Sequence, residues 1–236
     1  MIPWLDPSQP FPPVERALRE PNGLLAAGAD LSPLRLLEAY RRGIFPWYSE
    51  GEPILWWSPD PRMVLLPEEL KISRSLAKTL RNTAYEIRFD QSFDQVMGAC
   101  AGPRPGQPGT WITAEMRAAY NLMHKLGHAH CVETWLEGSL AGGLYGVALG
   151  GIFFGESMFS RRRDASKLAL VALVGKLSRE GYGLIDCQLP TTHLATLGAR
   201  PVPRPQFLRR LRELINYPHP PDSWSGAGFR NEPCRS

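Results

Sequence analysis

The sequence predicts an α+β protein with a small N-terminal domain over residues 1–61 and a larger domain, built on a mostly antiparallel sheet, over residues 62–236. Three observations predict this class. The first sixty residues are rich in Pro, Gly and Trp. Three strand-like segments then follow one another in the middle of the chain, joined by short turns that contain Gly. A long apolar helix and one further strand come next, so strands and helices share one core.

Composition excludes several classes of protein. Hydrophobic residues make up 43% and charged residues 21%, which is typical of a folded chain and not of a disordered one. No apolar run approaches the roughly 20 residues that span a bilayer, and the first residues lack the layout of a secretory signal, so we expect a cytoplasmic protein with no membrane association. The cysteines are far apart with no CxxC pair, which indicates free thiols: they are Cys100, Cys131, Cys187 and Cys234.

The N-terminal segment holds one clear helix, in DLSPLRLLEAYRRG. Ser32 is a favoured N-cap, Pro33 suits the first turn, and Gly43 suits the end. The segment after it, IFPWYSEGEPILWWSPDPR, has aromatic residues at a density that requires burial or a ligand. Core burial is the usual fate of Trp and is predicted for Trp56 and Trp57.

The larger domain alternates strands and helices, as read from hydrophobic periodicity and turn residues. Strands are predicted at residues 63–66, 85–89, 128–137, 139–149, 151–160 and 182–189, and helices at 73–82, 92–100, 113–126, 165–181 and 192–198, with a Pro/Gly loop at 101–110. Three antiparallel strands, a helix and another strand resemble the core of the N-acetyltransferase-like fold. Arg209, Arg210 and Arg212 indicate the solvated face of one more helix, and the tail after Pro218 is expected to be loosely ordered.

Charge permits a polyanionic partner but does not require one. Lys and Arg outnumber Asp and Glu by 27 to 23, a net charge of +4. The distribution is more informative, because basic residues cluster at 41–42, 71–81, 161–167 and 200–212. Solvated helix faces explain the last cluster as well as a ligand would.

Several segments together resemble the leucyl/phenylalanyl-tRNA–protein transferase family. They are REPNGLLAAGADLSPLRLLEAYRRGIFPWYSEGEPILWWSPDPR, TWIT, GHAHCVETW, GGLYGVALGGIFFGESMFSRRRDASKLAL and LIDCQLPTTHLATLGA, which span roughly residues 19 to 200 in one order. The resemblance implies a small N-terminal domain and an acetyltransferase-like (GNAT-like) C-terminal domain. It implies transfer of Leu or Phe, with Met as a third candidate, from aminoacyl-tRNA to proteins that begin with Arg or Lys, marking them for degradation. No cofactor or metal is implied, and we expect a monomer.

The strand YGLIDCQL carries the pair that the resemblance implies is catalytic, Asp186 and Gln188. Strand alternation puts these two side chains on one face and Cys187 on the other, where a buried structural thiol is expected. Our hypothesis is that the Gln188 carbonyl accepts a hydrogen bond from the attacking amine, while Asp186 fixes and polarises Gln188 and helps to remove a proton. Without the resemblance, a polar strand end would explain the same residues. His193 is assigned no role.

The resemblance also implies a pocket for the leucyl or phenylalanyl side chain. Its walls would be Leu144, Phe153, Met158, Leu170, Leu173 and Ile185, although core packing alone explains the last three. Strict alternation puts Phe153 and Met158 on opposite faces of their strand, so we expect a β-bulge near Gly155. Glu156 lies among bulky apolar residues and needs a partner, either the N-terminal Arg or Lys of an acceptor or a nearby arginine of the chain.

Two kinds of side chain are expected to hold the tRNA. Trp47 and Trp111 match positions where the family stacks the terminal adenosine. The segment SRRRDASK precedes a helix, so Arg161, Arg162, Arg163 and Lys167 would surround a positive helix end that suits phosphate, though a solvated loop explains the same charges. Lys71, Arg74, Lys78 and Arg81 would extend this surface, because their spacing puts them on one helix face.

Two other functions compete with this interpretation. An acyl-CoA-dependent N-acetyltransferase would suit the strand order, but the glycine-containing turn that holds pyrophosphate in such enzymes is replaced here by SRRRDASK. An RNA-binding module without catalysis would explain the basic clusters and tryptophans. It would leave Asp186, Gln188 and the apolar pocket without a role.

Overall fold

A computed structural model of the chain describes residues 2–102, 110–218, 224 and 228–232. Most of the predicted Pro/Gly loop at 101–110 lies outside these residues, as does Cys234. The strands are β1 (Trp4–Leu5), β2 (Leu24–Gly28), β3 (Phe45–Pro46), β4 (Leu55–Trp57), β5 (Arg62–Leu65), β6 (Tyr85–Phe89), β7 (Ala129–Leu136), β8 (Ser139–Leu149), β9 (Ile152–Ser160), β10 (Leu184–Gln188), β11 (Arg200–Val202) and β12 (Gly228–Asn231). The helices are α1 (Pro33–Arg41), α2 (Arg74–Asn82), α3 (Phe93–Cys100), α4 (Ala114–Lys125), α5 (Ala165–Arg179), α6 (Thr192–Thr196) and α7 (Arg204–Leu214), with short 3-10 helices at Val14–Arg16 and Pro67–Glu69.

The N-terminal part of the chain forms a four-stranded sheet in the order β1-β2-β4-β3. Helix α1 begins as predicted, because the Ser32 side chain accepts a hydrogen bond from the Arg35 amide, and Gly43 adopts a φ of 71° just after the helix. Trp56 is fully buried, as predicted, and its indole donates to the Gly28 carbonyl. Trp57 is only half-buried, because the next residue of a strand faces the other way.

The larger sheet has eight strands in the order β11-β5-β10-β9-β8-β7-β6-β12. Every neighbouring pair is antiparallel except β9 and β10, which are parallel and are connected through α5. The predicted class is therefore confirmed: three antiparallel strands, a helix and a further strand, in a mostly antiparallel sheet. The division at residue 61 stays a prediction, although no strand of one sheet pairs with a strand of the other among the described residues.

Two buried clusters cover the two faces of this sheet. Neighbouring residues such as Leu184 and Ile185 belong to different clusters, as strand alternation requires. The first cluster includes residues of the four-stranded sheet, α1, α3, α4 and α7. The second gathers the apolar side of α5, including Leu170 and Leu173. A site between β9 and β10 therefore has helices on both sides.

The C-terminal tail differs from the prediction. Residues 228–231 form β12, which pairs with β6, and the Trp224 side chain is buried with 5% of its surface exposed. The prediction of a loosely ordered tail was wrong for these residues, because an aromatic ring and an unpaired sheet edge, each distant in sequence, provide partners that composition does not reveal. No helix in the described part of the chain has the length and apolar character needed to cross a membrane.

Candidate active site

A cavity of about 430 Å³ opens where β9 and β10 separate. The two strands pair at only three positions, from Leu184 opposite Ile152 to Asp186 opposite Phe154. Beyond these pairs, residues 155–158 of β9 and residues 187–189 all line the cavity. The predicted apolar walls all line it: Leu144, Phe153, Met158, Leu170, Leu173 and Ile185. Phe45, Leu189 and Leu194 line it as well and were not predicted.

The predicted β-bulge is present. Tyr145 of β8 pairs with Ser157, and the next residue, Gly146, pairs with Gly155, so Glu156 is the extra residue of β9. The bulge reverses the alternation of side chains between Phe153 and Met158 and allows both to line the cavity. It also turns the Glu156 side chain toward the cavity.

Gln188 ends β10 with a φ of 62°, in the left-handed region that is uncommon for a residue other than Gly. Its side-chain Nε2 donates to Glu156 Oε1 at 2.7 Å, and both residues line the cavity. Cys187 lines the cavity as Ile185 does, as strand alternation requires, and the buried Asp186 between them does not. The unusual backbone of Gln188 then interrupts the alternation, so Gln188 lines the cavity beside Cys187. The prediction that Asp186 and Gln188 share one face and Cys187 the other was therefore wrong, although burial raises the pKa of the Cys187 thiol and makes a reactive thiolate unfavourable.

Asp186 lies beneath the cavity floor and is fully buried. Its carboxylate accepts hydrogen bonds from Arg62 Nε at 2.8 Å and Nη2 at 2.6 Å, a bidentate ion pair with no exposed side-chain surface. It also accepts the backbone amide of Gln188 at 2.9 Å. Asp186 therefore fixes the backbone of Gln188, and contacts neither its carboxamide nor the cavity.

Arg62 ties this carboxylate to the N-terminal part of the chain. Its Nη1 donates to the Gly43 carbonyl at 3.1 Å, at the end of α1. Its guanidinium lies between two aromatic rings, 4.7 Å from the centre of Phe45 and 4.8 Å from that of Phe207. Sequence reasoning missed Arg62, because nothing local distinguishes an arginine at the start of a strand.

Glu156 is not paired with a nearby arginine, one of the two partners that the sequence suggested, in the described part of the chain. Instead, Tyr40 donates to Oε1 at 2.8 Å and Tyr120 donates to Oε2 at 3.2 Å, and these two hydroxyls also contact each other. Burial raises the pKa of Glu156 to about 7, against the lowering effect of its hydrogen bonds. Burial also raises the pKa of both tyrosines well above the usual value, so they remain hydroxyl donors.

Trp47 and Trp111 line the mouth of the same cavity. Trp47 is 40% exposed, and its backbone carbonyl accepts the indole N–H of Trp57 at 2.7 Å. His193, which was given no role, also lines the cavity near its mouth, and burial lowers its pKa. Flat aromatic faces at the entrance suit a stacked base.

Comparison with known proteins identifies the family. A family model described as leucyl/phenylalanyl-tRNA protein transferase matches residues 64–212, and a model of the N-terminal domain of that transferase matches residues 29–60. A curated relative from Chromobacterium violaceum, named leucyl/phenylalanyl-tRNA–protein transferase, is 63% identical over 224 residues, covering 95% of this chain and 96% of the relative. The chain belongs to the leucyl/phenylalanyl-tRNA–protein transferase family. A relative of the same name from Nitrosomonas europaea is also 63% identical, over 95% of each chain.

Solved structures of other proteins are more distantly similar. A GCN5-related N-acetyltransferase from Kribbella flavida aligns with a TM-score of 0.37 and 12% identity, over 72% of this chain and 60% of that one. L-PGS from Bacillus licheniformis aligns with a TM-score of 0.38 and 10% identity, over 71% of this chain and 53% of that one.

The basic residues predicted for tRNA lie outside the cavity. Arg161, Arg162 and Arg163 are exposed on the turn between β9 and α5. Asp164, at the start of α5, partly neutralises the positive charge of this turn. Its carboxylate accepts hydrogen bonds from the Lys167 ammonium at 2.8 Å and from the Thr79 hydroxyl of α2 at 3.1 Å. The contact with Thr79 brings α2 beside this turn.

The basic residues around α2 agree only partly with the prediction. Arg74, Lys78 and Arg81 lie within the helix and are exposed, but Lys71 precedes it and its backbone amide donates to the Leu197 carbonyl. The helix-face interpretation of Lys71 was therefore wrong, because Ser73 caps the helix and starts it at Arg74. Lys71 is nonetheless exposed.

One group of potential metal ligands lies among the described residues, outside the cavity: Asp90, His124 and His130, whose ligand atoms are within 4.8 Å of one another. Asp90 is committed to His130 Nδ1 at 2.6 Å and to the Cys131 amide at 2.7 Å. His124 Nδ1 contacts the Ala129 carbonyl at 2.8 Å. These atoms serve as structural hydrogen-bond partners at the end of α4 and the start of β7.

Proposed function

We propose that this protein transfers Leu or Phe, with Met as a third donor, from aminoacyl-tRNA to the α-amine of proteins that begin with Arg or Lys, and so marks them for degradation. One observation carries the proposal: an apolar cavity of about 430 Å³ ends at a carboxylate–carboxamide pair, Glu156 and Gln188. Such a cavity suits an aliphatic or aromatic side chain, and we assign the polar pair to the point where the ester of that amino acid meets the amine. Family membership supports the same donors and a protein acceptor.

The reaction needs orientation more than strong acid or base catalysis. An aminoacyl ester is already activated, and an α-amine with a pKa of roughly 7.7 to 8.0 is partly neutral at physiological pH. The amine nitrogen forms a bond to the ester carbonyl carbon, and the bond from that carbon to the ribose oxygen of the terminal adenosine breaks. The amine loses a proton and the ribose oxygen gains one.

Gln188 is proposed to aim the amine. In its charged form Glu156 only accepts hydrogen bonds, so the group that then faces it is the Gln188 amide nitrogen, and the Gln188 carbonyl oxygen is left to accept from the incoming amine. Asp186 is proposed to hold Gln188 in place through the backbone amide, because Arg62 occupies its carboxylate. Its proposed help in proton removal has no contact to support it.

The remaining parts of the cavity are assigned to the two substrates. Glu156 is the single carboxylate among the described residues that line it, so it is the group that would attract the cationic side chain of an acceptor. Trp47 and Trp111 would stack the terminal adenosine at the mouth. The exposed arginines after β9, with Lys167, Lys71 and Arg74, would contact the acceptor stem. A reaction that consumes charged tRNA belongs in the cytoplasm, and a monomer suffices, because one chain supplies all these groups.

The decisive experiment incubates the protein with radiolabelled leucyl-tRNA and a model peptide that begins with Arg, beside a peptide that begins with Ala and beside labelled acetyl-CoA. We expect label from leucyl-tRNA in the Arg peptide only. The Gln188→Ala variant is expected to lower the single-turnover rate about a hundredfold with a small change in donor affinity. Label from acetyl-CoA, or no label from tRNA, would refute the proposal.

A further inference from the structure

Trp224 lies directly behind the cavity, although it belongs to the C-terminal tail. Its ring stacks on the ring of Phe153, with centroids 5.6 Å apart and an interplanar angle of 27°. Phe153 is a cavity wall, whereas Trp224 does not line the cavity itself. Trp224 also belongs to the buried cluster that holds five of the other cavity walls, Leu144, Leu170, Leu173, Ile185 and, at its margin, Met158.

The Trp224 ring is itself held from several sides. It stacks on His130 of β7 at 4.2 Å with an interplanar angle of 11°, and meets Phe89 of β6 edge-on at 6.3 Å. The Lys176 ammonium of α5 lies 5.0 Å from the ring centre. Its indole N–H donates to the Tyr182 hydroxyl. A ring fixed by strands and a helix gives Phe153 a rigid support.

Phe153 has little freedom to move toward the strand beside it. A Cβ atom on Gly146 would lie only 2.6 Å from the Phe153 ring, so the ring already lies against the bare backbone of β8. The Phe153 ring is thus confined by the backbone at Gly146 and by the indole of Trp224. Of these two supports, only the indole is a side chain that substitution can shrink.

We propose that Trp224 is a specificity-determining residue that sets the depth of the cavity by holding Phe153 in place. This inference rests on the proposed function, because it assigns the donor preference of the same cavity. With the indole removed, the Phe153 ring moves back into the vacated space and the cavity deepens. A deeper apolar cavity favours the longer phenylalanyl side chain over the leucyl side chain.

The test compares Trp224→Ala, Trp224→Phe and the wild-type protein, each as the full chain. The first measurement is the ratio of kcat/KM for phenylalanyl-tRNA to that for leucyl-tRNA. The second is the ratio of Kd values for amide-linked, non-reactive analogues of phenylalanyl-adenosine and leucyl-adenosine. We expect Trp224→Ala to shift both ratios toward phenylalanine by about tenfold, a change in the range of one or two methylene contacts. Trp224→Phe keeps an aromatic support and should restore most of the wild-type ratio.

Phe229→Ala provides the matched control. Phe229 lies in β12 of the same tail, but its ring is 49% exposed and packs on Tyr85, away from the cavity. The Phe229→Ala variant should leave both the kcat/KM ratio and the Kd ratio unchanged. Unchanged ratios in Trp224→Ala, or equal shifts in Phe229→Ala, overturn the inference. If Trp224→Ala does not fold, Trp224→Leu takes its place, because its side chain is apolar but too small to support the Phe153 ring, and a wild-type Kd ratio in that variant overturns the inference. If the wild-type protein transfers neither amino acid, the proposed function fails, and the Kd ratios still decide the role of Trp224.

Discussion

Glu156 is held by three donors that come from three separate parts of the chain. Tyr40 lies on α1, Tyr120 on α4 and Gln188 at the end of β10, and each donates to the same carboxylate. Burial disfavours the charged form more strongly than these donors favour it, which is why the pKa of Glu156 rises. The residue is therefore close to half-charged near neutral pH, where an incoming cationic acceptor would favour the charged form.

A pH dependence of stability follows from this carboxyl group. Its pKa rises from 4.5 to about 7 on folding, so between these values the native state binds more protons than the unfolded state. The contribution of Glu156 to the free energy of unfolding is fully present below pH 4.5 and is lost as the pH rises to about 7. Since one pKa unit corresponds to about 1.4 kcal/mol, the loss amounts to roughly 3 kcal/mol.

Urea unfolding at pH 5.0 and pH 8.0 measures this effect. Glu156→Gln cannot titrate, so its free energy of unfolding should fall less than that of the wild-type protein between the two pH values. Glu68→Gln, at an exposed position, is the control and should follow the wild type. An equal fall in the free energy of unfolding between the two pH values for Glu156→Gln and the wild type would contradict the prediction.

Arg62 and Asp186 form a buried ion pair in which each charge needs the other, because neither side chain contacts solvent. Removal of the guanidinium in Arg62→Met leaves a carboxylate buried with no cation, and we expect a loss of about 3–5 kcal/mol in the free energy of unfolding. The double variant Arg62→Met/Asp186→Leu removes both charges and should recover much of that loss. Chemical denaturation of the two variants and the wild type checks this, and a double variant as unstable as the single one would count against it.

At the scale of elements, the junction of β8 and β9 determines the shape of the cavity. The bulge at Glu156 needs a close approach of the two strands beside it, and Gly146 permits that approach because it has no side chain. A Cβ atom there would lie 2.2 Å from the Phe154 carbonyl oxygen and 2.6 Å from the Phe153 ring. Backbone cannot move away from such a contact as a flexible side chain can.

Gly146→Ala is therefore expected to destabilise the protein by about 1–3 kcal/mol, the usual cost of overpacking, and to push Phe153 into the cavity. Gly155→Ala is a matched control on the facing strand, because the nearest atom to its Cβ would be the Asp186 carbonyl oxygen at an ordinary 3.5 Å. Thermal unfolding should show a clearly larger loss in Tm for Gly146→Ala. Similar losses for both variants would show that the close contact is not the cause.

The elements themselves were largely predictable, and the reason is local. Periodicity and capping residues determine helices such as α1 and α4, where Ser32 and Thr113 accept hydrogen bonds from amides in the first turn. The bulge near Gly155 was predictable because the family resemblance assigned two residues of one strand, Phe153 and Met158, to one cavity although strict alternation would separate them. The short strand β12 was not, since the strand with which it pairs, β6, lies more than a hundred residues earlier.

At the scale of the whole molecule, distant segments converge on one cavity. The N-terminal segment supplies Tyr40 and Trp47, the central strands supply Glu156 and Gln188, and the tail supplies Trp224 behind Phe153. Exposed basic residues lie on α2 and on the turn after β9, which the contact between Thr79 and Asp164 brings together. We expect this combined surface to bind the tRNA backbone.

The charge-reversed variant Arg74→Glu/Lys78→Glu, with both changes at exposed positions of α2, tests this surface. We expect its Kd for leucyl-tRNA to rise about tenfold or more, and the dependence of log Kd on log salt to become shallower by one to two units. Arg209→Glu/Arg212→Glu has the same change in net charge on the exposed side of α7 and should bind nearly as the wild type does. Titrations between 50 and 200 mM salt measure both; equal weakening in the two variants would mean that total charge, and not this surface, attracts the tRNA.

Periodicity and capping residues alone determined the helices and strands, because these depend on neighbours a few residues apart. The apolar walls of the cavity, and with them the need for a bulge, followed from the resemblance of the sequence to the family. Only the tertiary structure decided which groups hold the polar end. Arg62 and Asp186 are 124 residues apart, and Tyr40 and Glu156 are 116 residues apart. Buried polar groups must find partners, but the identity of each partner depends on how the whole chain packs, and no local pattern records it.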